Sequence, residues 1–319
     1  MTTFLAILLF LVGLGLIIKG GDFFVDAASW MAEVSGVPKL IVGATVVSIA
    51  TTLPELLVSM MASARGSVGI SVGNAVGSVT ANLGLIMALS LIFMPAVIRK
   101  KDYAFKFAML TAAIFVLFGF SFGGELKIVG AILLLIMFCV SMGENVLRAL
   151  RAAKSESAEA RPAKDKKTVT INIAKFVLGA AGIVGGAELM VNNATTLARL
   201  LGISEAVIGA TIVAIGTSLP ELVTTLTAIA KKESSLSIGN IIGANIIDLT
   251  VILPLCALVS GKNLPMDVQN VKLDMPFCLG LVLLGVIPPM ISGKLKRAQG
   301  FIMLATYVAY IVLMLSITF

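Results

Sequence analysis

Long apolar runs separated by short polar breaks recur ten times along this chain. They predict ten membrane-crossing helices at about 3–19, 38–62, 70–96, 104–122, 126–147, 169–191, 204–229, 236–260, 272–291 and 300–318. A helix rising 1.5 Å per residue needs about 20 apolar residues to cross ~30 Å of hydrocarbon. The first run has no basic leader and no small-residue cleavage site, so it reads as a helix and not as a signal peptide. The one long polar stretch, 148–168, is rich in Lys, Glu, Ala and Ser and predicts a flexible linker. The expected fold class is an all-α integral membrane protein, with a first unit at 1–147 and a second at 169–319.

The two halves repeat each other. Gly43-Ala44-Thr45-Val46-Val47-Ser48-Ile49-Ala50-Thr51-Thr52-Leu53-Pro54-Glu55 returns, 166 residues later, as Gly209-Ala210-Thr211-Ile212-Val213-Ala214-Ile215-Gly216-Thr217-Ser218-Leu219-Pro220-Glu221, with 9 of 13 positions identical. At the same offset Gly20-Gly21-Asp22 matches Gly186-Ala187-Glu188, Ser71-Val72-Gly73-Asn74 matches Ser237-Ile238-Gly239-Asn240, Gly77 matches Gly243, and Asn82 matches Asp248. Five spans per half is an odd number, so the second copy enters the membrane from the opposite side. The repeats are expected to be inverted, about an axis in the membrane plane.

Composition agrees with a lipid solvent. The 319 residues are 58% hydrophobic and 13% charged, against about 25% charged in soluble domains, and the mean hydropathy is +1.06. The net charge of +7 does not indicate a nucleic-acid partner, because the basic residues lie in short loops. With the N-terminus outside, 19 of the 24 Lys and Arg residues fall on the inner side. That asymmetry predicts both termini outside and the linker inside a cell membrane. Cys139, Cys256 and Cys278 follow no metal or disulfide spacing and read as small hydrophobes, and histidine is absent.

A carboxylate inside a proline-broken membrane helix costs several kcal/mol and marks function. Proline removes an N–H and opens the preceding turn. Around Pro54 and Pro220 this loosens carbonyls near 48–51 and 214–217. Ser48, Thr51, Thr52 and Glu55 share one helical face, as do Ala214, Thr217, Ser218 and Glu221. Asn74, Ser78 and Asn82 recur every four residues on the next span, mirrored by Asn240, Ala244 and Asp248. No basic residue is placed at membrane depth to pair with Glu55 or Glu221. The set offers hard oxygen alone, which suits calcium and sodium. The blander readings are hydroxyls bonding back to carbonyls, glycines at helix crossings, Asn74 and Asn240 as helix bridges, and Asp22 and Glu188 as solvated acids.

The doubled G-A-T-x-x-x-I-x-T-x-L-P-E, each copy followed by a span with S-x-G-N-x-x-G, resembles the α-repeats of the calcium/cation antiporter superfamily. Within it the chain is similar to sodium/calcium exchangers of archaeal and bacterial type, over nearly its whole length. The resemblance implies a non-enzymatic antiporter with four central ion sites, needing no cofactor beyond the transported calcium and sodium. It implies calcium on Glu55 and Glu221 with the Thr51 and Thr217 carbonyls. It implies sodium ligands among the Ser48 and Ala214 carbonyls, Thr52, Ser218, Ser78, Asn82 and Asp248. The first and sixth spans become the sliding gate. Ser48, Ala50, Thr52 and Ala244 depart from the family's common Ala, Gly, Ser and hydroxyl residues. Asn245-Ile246-Ile247-Asp248-Leu249-Thr250 is similar to potassium-dependent relatives.

The expected mechanism is alternating access, with both cargoes competing for the two glutamates. Proton/calcium and potassium-dependent antiport use the same carboxylates. A cation channel would not need acids that lock an unoccupied state. An aspartyl-type hydrolase is disfavoured because both acids are Glu after Pro and no G-x-G-D occurs.

Overall fold

The computed structural model describes residues 3–64, 66, 68–155, 165–201, 216, 218–261 and 263–318. These form ten helices: α1 (Thr3–Ser35), α2 (Lys39–Ala64), α3 (Val68–Phe93), α4 (Lys100–Ser121), α5 (Ile128–Ser155), α6 (Lys166–Leu200), α7 (Leu219–Ala230), α8 (Ser234–Ser260), α9 (Asn270–Ser292) and α10 (Arg297–Thr318). Nine of the described helices are long and apolar enough to cross a membrane; α7 is shorter. Residues 202–215 and 217 lie outside the described set, so the span expected at 204–229 is seen from Leu219 onward. The chain is therefore a multi-pass, all-α membrane protein. Its only extended pieces among the described residues are β1 (Ala96–Val97) paired with β4 (Lys294–Leu295), and β2 (Glu125–Leu126) paired with β3 (Leu264–Pro265). Each pair ties a loop of one half to a loop of the other.

Several helices run past their expected ends. The 33 residues of α1 extend roughly 50 Å, well beyond the run expected at 3–19. The expected span stops short of the acids that follow it, but in the fold Asp22 and Asp26 lie 3.5 and 2.8 Å from Lys231 Nζ, so acids that would end a membrane helix are partnered. Burial opposes the charge on Lys231, but Asp26 and Asp22 outweigh it and leave its pKa raised. Helix α6 covers 35 residues, where 169–191 was expected. Helix also occupies both ends of the polar segment 148–168, because α5 continues through Ser155 and α6 begins at Lys166. Lys, Arg, Glu and Ala are good helix formers, and Arg148 bonds back to Glu144 one turn earlier. Residues 156–164 lie outside the described set.

Glycines carry the closest crossing. A Cβ added at Gly13 would stand 2.8 Å from the Gly186 carbonyl oxygen, and one at Gly20 would stand 2.8 Å from the Gly179 carbonyl oxygen. Numbers rise along α1 as they fall along α6, so the two helices are antiparallel. Gly179 is the repeat mate of Gly13, and Gly186 that of Gly20. Each glycine thus meets the mate of the other, as a two-fold relation requires. Asn82 and Asp248, mates themselves, touch at 3.5 Å between Nδ2 and Oδ2, which places them on the pseudo-axis.

Helix α8 is the centre. Its residues from Leu236 through Ile247 are all buried, so it is wrapped by protein on every side. Small residues let α2 lie against it: a Cβ on Gly243 would meet Ala44 Cα at 2.7 Å and Ser48 Oγ at 2.6 Å. The loops sort to two ends. Lys39 bonds Glu233 at one end, where Lys100, Arg148 and Lys231 also gather. Asn263 bonds Glu125 at the other.

Gly13→Ala and Gly20→Ala are each expected to destabilise the protein by about 1–3 kcal/mol, the usual cost of overpacking. Gly15→Ala is the control, because a Cβ there meets nothing within 4 Å. Thermal unfolding of the purified variants measures the difference. Equal melting of all three would show that α1 and α6 are not held at backbone contact.

Candidate cation site

Breaks in regular helix position this site. Pro54 interrupts α2 from within, and Pro220 begins α7. Wider π-turns occupy Gly43–Val47, Asn82–Met87 and Asp248–Ile252. The last two start on repeat mates, so the backbone irregularity is itself repeated. Such turns shift side-chain facing by part of a turn and gather at functional sites.

The structure brings α2, α3, α7 and α8 together here. Glu55 and Glu221 are each 1% exposed, as is Asp248. The two glutamates lie close enough for their carboxyls to interact directly, and Asp248 adds a third like charge in range. Thr52 Oγ1 donates to Glu221 Oε1 at 3.3 Å. Thr51 Oγ1 lies 3.2 Å from Asn240 Oδ1 and 3.3 Å from the Ser48 carbonyl. Ser48 Oγ donates to the Thr45 carbonyl at 3.1 Å. Ser78 and Ser218 are buried beside them. Thr217 and Ala214 lie outside the described residues.

Six buried oxygens of this group have no hydrogen-bond partner among the described residues: both carboxylate oxygens of Glu55, Glu221 Oε2, Asp248 Oδ1, Asn82 Oδ1 and Ser218 Oγ. Buried polar atoms are normally satisfied. A set of orphaned acceptors with no cationic side chain among them is chemistry for a metal cation. No cluster of three His, Cys, Asp or Glu close enough to share one ion occurs among the described residues. The site is therefore two carboxylates supplemented by hydroxyls, amides and carbonyls.

Three features differ from the sequence reading or went unseen in it. Lys106, one of the 19 basic residues counted on the inner side, is 1% exposed within α4. Its ammonium bonds Asn145 and stands 3.9 Å from Glu144 Oε2, so it neutralises a different acid. Asn74 takes the bridging role, with its Nδ2 donating to Ser59 Oγ at 2.8 Å and to the Glu55 carbonyl at 3.3 Å, whereas Asn240 meets Thr51 through Oδ1 and its Nδ2 has no partner among the described residues. Asn245, named in the sequence only as the start of the stretch Asn245–Thr250, is fully buried, and both its amide atoms lack a partner among the described residues.

A family profile described as sodium/calcium exchanger protein matches residues 5–144 and 171–316. The sodium/calcium exchanger MaX1 of Methanosarcina acetivorans is 31% identical, over 97% of this chain and 98% of its own. An uncharacterised membrane protein of Methanocaldococcus jannaschii is 34% identical over 94% of each chain. Among solved structures, the sodium-calcium exchanger NCX_Mj superposes with a TM-score of 0.85 at 32% identity, covering 98% of this chain and 99% of that one.

Asn74→Leu is expected to weaken calcium binding about 10- to 100-fold, as losing a group that orients a ligand commonly does. Isothermal titration of the purified variant gives the affinity. An unchanged value would mean that Asn74 only joins two helices.

Proposed function

The chain belongs to the sodium/calcium exchanger protein family, and we propose that Glu55 and Glu221 form the shared site through which it exchanges calcium for sodium. The observation that carries this assignment is the set of orphaned oxygens around the paired glutamates. Two carboxylates match the charge of one dehydrated calcium ion. The Thr51 carbonyl joins them on calcium, and the hydroxyls of Thr52 and Ser218, with Ser78, Asn82, Asp248 and the Ser48 carbonyl, extend the ring for sodium. Thr217 and Ala214 would complete it from the second repeat.

Sodium and calcium would draw on the same carboxylates and so exclude each other. Without either, two like charges remain buried in low dielectric, at a cost of several kcal/mol. That cost disfavours switching faces without cargo and enforces exchange. The close antiparallel crossing of α1 and α6 at glycines supports a sliding role for that pair. Inward sodium flow would then drive calcium outward. The gathering of Lys39, Lys100, Arg148 and Lys231 at one end supports placing that end in the cytoplasm, with both termini outside a cell membrane. The units 1–147 and 169–319 would be the two inverted halves.

Glu55→Gln and Glu221→Gln are each expected to abolish exchange, measured as calcium-45 uptake into proteoliposomes under imposed sodium, potassium or pH gradients. Wild-type flux in either variant would sink the assignment. Uptake driven by a pH gradient without sodium would indicate proton coupling.

Asp248→Asn is expected to retain substantial sodium-driven flux. Its mate Asn82 is neutral, and the two residues are paired with each other. Initial calcium flux against sodium concentration, with and without potassium, gives the result. A variant as inactive as Glu55→Gln would mean that Asp248 is ionised and holds a cation through its charge, and would point to potassium-dependent exchange.

A further inference from the structure

A cavity of about 990 Å³ opens at the lysine- and arginine-rich end, between the starts of α2, α4 and α8 and the end of α5. None of the residues assigned to the cation site lines it, so it is separate from the exchange centre. Six basic side chains line it against three carboxylates. The carboxylates are already engaged: Glu233 with Lys39, Asp102 with Arg99, and Glu144 with Arg148. The other three cations, Lys101, Arg151 and Lys232, line the cavity and make no ion pair among the described residues.

Two further features point to an anion. Helices α2, α4 and α8 all begin at the cavity, and none has a side-chain cap on its first turn. Their free N–H groups and dipoles add positive potential where the ammonium and guanidinium groups converge. Lys232, which lines the cavity, holds its backbone at φ 60°, which non-glycine residues rarely adopt. The lining also carries exposed apolar side chains, with Val97 80% and Leu147 54% exposed. A free phosphate has no use for these, whereas an acyl chain would cover them.

We propose that this cavity binds the phosphate headgroup of an anionic lipid, with its acyl chain lying over Val97 and Leu147. The first turn of α2 lines the same cavity, and α2 carries Ser48 through Glu55. A bound headgroup would therefore link that helix to α4 and α5 at the basic end.

The test compares the wild type with the triple variant Lys101→Gln, Arg151→Gln, Lys232→Gln. Native mass spectrometry follows titration with phosphatidylglycerol, with phosphatidylcholine as the neutral control. Each basic group near a headgroup contributes a factor of about five, so the variant is expected to bind phosphatidylglycerol roughly a hundredfold more weakly. Phosphatidylcholine binding is expected to be unchanged. The wild type alone supplies a second readout: its preference for phosphatidylglycerol is expected to fall as salt is raised. Equal phosphatidylglycerol binding by both proteins overturns the proposal, as does a wild type without preference between the two lipids. Occupancy by millimolar inorganic phosphate that shuts out phosphatidylglycerol overturns the lipid as occupant.

Discussion

Two carboxylates buried against each other, with no basic side chain among the described residues to neutralise them, set the terms for the rest of this molecule. In a soluble protein Glu55 and Glu221 would acquire an arginine or move to the surface. Here the only buried lysine among the described residues with an acid in range, Lys106, is committed to Asn145 and Glu144. The glutamates are held in place by neutral groups instead. Thr52 reaches Glu221, and Asn74 pins the Glu55 backbone. On the function proposed here, their charge is left for a cation that comes and goes. A permanent salt bridge would stabilise the fold more simply but would leave nothing to transport.

The packing serves that pair. Four helices must converge on a space a few ångströms across while keeping their polar atoms aimed inward. Ordinary side chains at the crossings would hold the helix axes too far apart. Gly43, Gly239 and Gly243 allow α2 and α8 to meet at backbone distance, and this brings Thr51 against Asn240. Proline and the π-turns then release carbonyls that a regular helix would keep occupied. The irregular backbone is buried inside protein, the one place where a membrane tolerates it.

Much of this was legible in the sequence, because doubled motifs are difficult to produce by accident. The offset of 166 predicted inverted halves, and the structure shows the mates Asn82 and Asp248 in contact. The glutamates stood out because a carboxylate in an apolar run needs a reason. Helix ends were less legible. The sequence shows Asp22 and Asp26 as polar, but only the fold supplies Lys231 to receive them. Lys106 was misplaced for the same reason: its partners Glu144 and Asn145 lie nearly forty positions away, on α5. The roles of Asn74 and Asn240 stayed divided between bridge and ligand until neighbours could be named. Thr217 and Ala214 were read from the motif alone and lie outside the described residues.

The repeat is also informative where it fails. Perfectly matched inverted halves would give the site equal affinity from either side, since exchanging the conformations of the halves would turn one face into the other. Glu55 and Glu221 are the same residue, so the charge proposed to bind calcium would be the same in both arrangements. The surrounding positions are not matched: Ser48 faces Ala214 in the repeat, Ser78 faces Ala244, and Asn82 faces Asp248. Each mismatch gives one half a hydroxyl or a carboxylate that the other lacks. Under the exchange proposed here, those residues change their access to solvent when the faces switch. Affinity for the coupling ion then differs between the two sides, although the carboxylates do not. On that proposal, identical glutamates would set which ions compete, and the unequal neighbours would set from which side each ion binds better.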